Sequence, residues 1–187
     1  MAALKLYLMG HFHLTIDEQM VDGFRSERAR ALLAYLVVEN IRPVQRSYLA
    51  RLLWDGYDPD AARLNLRVTL SNLRQLLLPF QPIRATYHTV QFDVTTVGFW
   101  CDVLALEAVV GVSHLHSQSA LTAEARALYN REFLEGLDTL DSRQYQEWLN
   151  RQRQRYRQLL ERLGQNSNQI QLPWQLKAAQ PASAGLP

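Results

Sequence analysis

An α+β fold is predicted, with short strands framing three compact helices and an all-helical segment behind them. Three observations carry it. Residues 4–21 alternate apolar and polar side chains around Gly10, the period of short half-buried strands. Residues 27–77 hold three apolar runs at helical spacing, separated by Pro43 and by Trp54-Asp55-Gly56. Residues 83–94 then read as a β-hairpin turning near Tyr87-His88, although no Gly or Asn marks the turn.

The residues 4–21 are expected to form two short strands joined by a turn. Ser26 stands where an N-cap would open a helix over 27–39, whose buried face holds Ala29, Leu33, Leu36 and Val37. After Pro43 a short helix from Arg46 to Leu53 buries Leu49, Leu52 and Leu53. Asp58 caps a third helix over 59–77, with Pro59 at its first position and Asp60 in its first turn. Leu66, Leu70, Leu73 and Leu77 form its apolar stripe. On a 100° wheel Val68, Ser71, Asn72 and Gln75 fall opposite, with Arg67 and Arg74 towards one flank. Pro79 and Pro82 stop the helix.

Beyond residue 100 the pattern changes. Helices are expected over 103–110 and 119–132, and a longer one from Asp141 to Leu163. Asp141 with Gln144 has the spacing of a capping box, and Leu140 is placed to staple onto Tyr145. Tyr145, Trp148, Leu149, Gln152, Tyr156, Leu159, Leu160 and Leu163 follow one face, so the aromatic residues read as packing rather than a ligand cage. Arg151, Arg153, Arg155 and Arg157 spread around the cylinder and read as solvated charge. Residues 165–187, rich in Gln, Asn, Ala, Ser and Pro, read as a linker or disordered tail. The expected units are therefore 1–100, 101–164 and 165–187.

Composition limits function. One cysteine, Cys101, gives no internal disulfide and no thiolate metal site. The start lacks the apolar region of a secretion signal, and no apolar run reaches the ~18 residues of a membrane span; a soluble cytoplasmic protein is expected. His11 with His13, and His114 with His116, lack the further ligands a metal needs. No phosphate loop, nucleophile elbow or spaced carboxylate pair stands out, so neither catalysis nor a cofactor is expected. The net charge is only +2, but residues 25–84 hold ten arginines against five acids. Positive charge thus gathers around the third helix, as nucleic-acid binding requires.

The order of strands, three helices and hairpin is that of a winged helix-turn-helix, whose third helix enters the major groove while the hairpin follows the adjacent backbone or minor groove. An uncharged hydrogen-bonding face edged by arginine suits that task. Three stretches, Arg30-Ala-Leu-Leu-Ala-Tyr-Leu, Arg42-Pro-Val-Gln-Arg-Ser-Tyr-Leu-Ala-Arg-Leu-Leu-Trp54 and Ala62-Arg-Leu-Asn-Leu-Arg-Val-Thr-Leu-Ser-Asn-Leu-Arg74, resemble the SARP-type bacterial transcriptional activators. Those pair an OmpR-type winged helix with an all-helical, TPR-like bacterial transcriptional activator domain. The segments Trp100-Cys-Asp-Val-Leu-Ala-Leu-Glu and Phe133-Leu-Glu-Gly-Leu resemble the junction and opening helices of the second module.

The resemblance implies double-stranded DNA as partner, with RNA polymerase, a second copy or downstream regulatory domains as further ones. It implies that Val68 and Asn72 face bases while Arg67, Arg74 and Gln75 lie on or near the backbone. Position 72 is often arginine in the wider group, and asparagine prefers adenine where arginine prefers guanine. Arg63, Ser71 and the hairpin residue Arg84 complete the candidate DNA-binding set. The alternative readings are a protein-interaction module that has lost DNA binding, and a small-ligand sensor with a cavity near Trp148 and Tyr156.

Overall fold

The computed structural model describes residues 3–112 and 131–168. Strand β1 (Leu4–Tyr7) pairs antiparallel with β2 (His13–Ile16), and the alternation buries Leu4 and Leu6. A third strand, β3 (Gln19–Met20), was not expected. It forms because Asp17 and Glu18 both take positive φ, 51° and 64°. Two such residues make a tight hairpin turn of the type usually signalled by Asn or Gly, so an Asp-Glu pair conceals it.

Helix α1 (Glu27–Val38) buries nearly its whole circumference from Ala29 to Val38, not the single face expected. A helix apolar all round belongs at the centre of a core. Ser26 occupies the N-cap in extended backbone, but its side chain makes no capping bond. Strand β4 (Val44–Gln45) leads into α2 (Arg46–Leu53), and α3 (Pro59–Leu76) packs on both earlier helices. Asp58 caps α3 as expected, accepting from the N–H groups of Asp60 at 2.9 Å and Ala61 at 3.1 Å.

The hairpin is β5 (Ile83–Ala85) and β6 (Thr89–Phe92), with β4 on the far side of β6 in a sheet ordered β4-β6-β5. Thr86 supplies the turn chemistry that Gly or Asn would otherwise provide. Its Oγ1 accepts from the N–H groups of His88 at 3.2 Å and Thr89 at 3.0 Å. Strand β7 (Phe99–Cys101) returns parallel to β1, so the first sheet is ordered β3-β2-β1-β7. Two- and three-residue strands such as β4 and β7 are too short to show a period in sequence.

Helix α4 (Asp102–Val112) follows β7 directly. Asp102 is 2% exposed and its carboxylate accepts from the N–H of Leu8 at 2.9 Å, of Met9 at 2.9 Å and of Val103 at 2.7 Å. One side chain thus opens α4 and ties it to the end of β1. The helix expected over 119–132 lies outside the described residues, apart from Arg131 and Glu132, which are not helical. Residues 132–135 run beside residues 8–10: Gly10 N–H donates to Glu132 O and Leu134 N–H to Leu8 O, each at 2.8 Å. Gly10 sits at φ +89°, and a Cβ there would lie 2.7 Å from Arg131 Cδ. Both backbone conformation and space therefore call for glycine.

Helix α5 (Arg143–Asn168) begins after Ser142, not Asp141. The Ser142 hydroxyl accepts from Tyr145 N–H at 3.3 Å and donates to Leu52 O at 2.6 Å, so the cap also fastens the helix to α2. Gln146, in place of Gln144, reaches back to the carbonyls of Asp138 and Leu140. The helix continues beyond Leu163 through Gly164; the rest of the expected tail, 169–187, lies outside the described residues.

Trp148 packs between Tyr35 and Phe133, with ring centroids at 5.0 and 6.0 Å, and Tyr156 packs on Phe133 at 4.9 Å. Burial raises the phenols of Tyr145 and Tyr156 well above their ordinary range. The Trp148 indole N–H donates to Glu39 Oε1 at 2.9 Å. One apolar core accordingly runs from β1 through α1 to α5. Among the arginines of α5, Arg153 differs from its expected role as solvated charge. Arg153 is largely buried and donates to the carbonyls of Phe133 at 3.0 Å and Leu134 at 3.1 Å. Arg155 pairs with Glu107 at 3.1 Å, and Arg157 pairs with Glu132. Arg151, Arg155 and Arg157 are exposed, as solvated charge would be.

Candidate nucleic-acid interface

Helix α3 presents one continuous exposed ridge. Arg63, Leu64, Arg67, Val68, Ser71, Arg74 and Gln75 are all exposed, and their spacings of three and four place them on one side of the helix. Leu66, Leu70, Leu73 and Leu77 are buried beneath. Arg63 pairs with Asp60 one turn earlier. Arg67 and Arg74 hold no ion pair among the described residues and offer their guanidinium groups to solvent.

The tip of the hairpin stands beside the N-terminal half of this ridge. A cleft of about 480 Å³ is lined by Arg46, Ser47, Arg63, Arg67, Tyr87 and His88, among others. Arg46 at the start of α2 fixes the tip. Its Nε donates to Thr86 O at 3.0 Å and its backbone N–H to His88 O at 2.8 Å. Tyr87 is 88% exposed and meets the His88 ring edge-on at 4.8 Å. Ridge, helix N-terminus and hairpin tip therefore hold a set relation to one another.

Arg84 is exposed but not free. Its Nε and Nη2 both bond Asp93 Oδ2, at 2.9 and 2.5 Å. Bonds from Thr95 and then from Arg84 hold the Asp93 carboxyl below its usual range. The charge of Arg84 is thereby matched within the hairpin.

The transcriptional regulatory protein EmbR of Mycobacterium bovis, and EmbR from two strains of Mycobacterium tuberculosis, are each 39% identical to this chain over 70 residues. The match covers 37% of this chain and 18% of theirs, so the chain spans under a fifth of those relatives in the matched region. A solved structure, Mycobacterium tuberculosis EmbR in complex with a low-affinity phosphopeptide, superposes with a TM-score of 0.66 at 21% identity. It covers 88% of this chain and 44% of that one, joining winged helix and helical segment in one alignment. The chain is similar to EmbR over the 70-residue stretch and shares its fold. No family model matches it.

One expectation drawn from the SARP resemblance fails on the geometry. Asn72 does not face outward; it is 7% exposed. Its Nδ2 donates to Gly23 O at 3.3 Å and its Oδ1 accepts from Arg25 N–H at 3.4 Å. The loop between β3 and α1 covers that flank of the helix, whereas no described residue covers the flank with Arg67 and Arg74. Asn72 therefore holds a loop in place.

Two features of the site were not expected. Leu64, 57% exposed, lies on the ridge one turn before Val68; the helical wheel could have shown it. Arg46 reaches a partner 40 residues away, and no local pattern could have revealed that.

Proposed function

We propose that this chain is a sequence-specific, double-stranded-DNA-binding transcription regulator. The ridge of α3 enters the major groove, and the tip of the β5–β6 hairpin follows the adjacent backbone or minor groove. The observation that carries this reading is the continuous ridge beside the hairpin tip, which joins short polar and aliphatic side chains to two arginines that have no ion pair among the described residues. The names of the relatives, transcriptional regulatory proteins, agree with it.

Within this reading Arg67, Arg74 and Gln75 lie on or near the phosphate backbone, and Val68 and Ser71 approach base edges. Arg63 contributes on the same line. Arg84 contributes on release from Asp93, and Asn72 serves the fold. An activating role, with contact to RNA polymerase, rests on the resemblance to SARP-type activators. In this reading the helical segment meets a second copy or downstream regulatory domains. Among the described residues no helix is long and apolar enough to cross a membrane.

Fluorescence anisotropy with duplex DNA over a range of salt tests the proposal. Binding is expected to weaken as salt rises, and Arg67→Ala to weaken it further and lower the salt slope by about one, as loss of one phosphate contact requires. Binding that ignores salt, or an Arg67→Ala variant with unchanged slope, contradicts it.

A further inference from the structure

The exposed ridge of α3 contains two branched aliphatic side chains that no part of the described protein covers. Leu64 is 57% exposed and Val68 42%. They are four residues apart and so stack one turn above the other. Their neighbours on the same ridge are Arg63, Arg67 and Ser71, all exposed. This apolar pair is therefore set inside a cationic and hydrogen-bonding surface, without a separate hydrophobic patch around it.

Resting on the DNA-binding reading above, we infer that Leu64 and Val68 select thymine by contact with its C5-methyl group. Among the groups that natural A·T and G·C pairs present in the major groove, the thymine methyl is the apolar one. An aliphatic side chain against any other base edge covers a donor or acceptor without replacing its hydrogen bond, which disfavours that base. The two side chains are offset by about 6 Å along the helix axis, and base pairs rise about 3.4 Å per step. The target site accordingly contains thymines within about two steps of each other beneath the N-terminal half of α3. Arg67 and Arg74 anchor the flanking phosphates, which fixes the register in which the methyl groups are met.

Substitution of thymine by deoxyuridine removes only the methyl group and keeps base pairing. Duplexes selected from a random pool by the full chain are resynthesised with deoxyuridine at one thymine at a time and titrated at fixed salt. At the one or two positions under Leu64 and Val68, affinity is expected to fall about fourfold per lost methyl. Leu64→Ala and Val68→Ala lose the same factor on the thymine duplex and show no further loss on deoxyuridine. Both positions are on the solvent side of a helix that alanine favours, and circular dichroism verifies that each variant is folded. Specific binding that Arg67→Ala weakens but that is indifferent to deoxyuridine at every position overturns the thymine inference and leaves DNA recognition standing. Absence of binding to any duplex overturns both.

Discussion

Trp148→Ala is expected to destabilise the protein by about 3–5 kcal/mol, the cost of removing a buried indole from a packed core. Trp148 is 2% exposed, in ring contact with Tyr35 of α1, Phe133 and Tyr145, and hydrogen-bonded to Glu39. Its partners come from both sides of the junction between the winged helix and the helical segment. Wild type is therefore expected to unfold in urea as one transition. The variant shows a lower midpoint, followed by both near-ultraviolet and far-ultraviolet circular dichroism. A loss below about 1 kcal/mol, or a wild-type protein with two separate transitions, would mean that α5 is not part of the common core.

Asp102→Asn is the second large effect. The carboxylate accepts three backbone N–H groups where β1 ends and α4 begins. An asparagine keeps one oxygen and turns an NH2 group toward donors, leaving a buried N–H unpaired at about 1–3 kcal/mol. The pH dependence has a definite sign. Burial raises the Asp102 carboxyl above its ordinary range and outweighs the backbone donors that act the other way. The folded protein therefore holds that proton more tightly than the unfolded chain. This contribution is fully present below the ordinary aspartate range and is lost as pH rises through the folded-state value. Asparagine cannot titrate, so the variant's deficit relative to wild type is expected to shrink as pH rises through that window. Urea titrations at several pH values check this; a deficit that grows with pH contradicts it.

The parts legible in the sequence are those with a period. Leucines at three- and four-residue spacing located α1, α2 and α3 almost to the residue, and Asp58-Pro59-Asp60 marked the start of α3. The hairpin was legible from alternation, but its turn was closed by Thr86, whose role depends on a side-chain bond and not on backbone freedom. Asn72 shows why faces are harder to read than helices. A leucine stripe gives the centre of the buried arc, while its edges depend on what packs beside the helix. Here the Gly23–Arg25 loop covers one flank and leaves the arginine flank open. Arg153 was misread for a related reason. Its burial comes from residues 133–134, which fold back onto α5 from elsewhere in the chain.

The claim on which the functional account depends is that the open ridge of α3, and not its Asn72 flank, meets DNA. Chemical-shift mapping on the isotope-labelled chain, titrated with a selected duplex, tests it most directly. Large perturbations are expected at Arg63, Leu64, Arg67, Val68, Ser71, Arg74, Gln75 and the Tyr87-His88 tip, with the Asn72 side-chain amide unmoved. Perturbations centred elsewhere, with the ridge silent at saturating DNA, would contradict it.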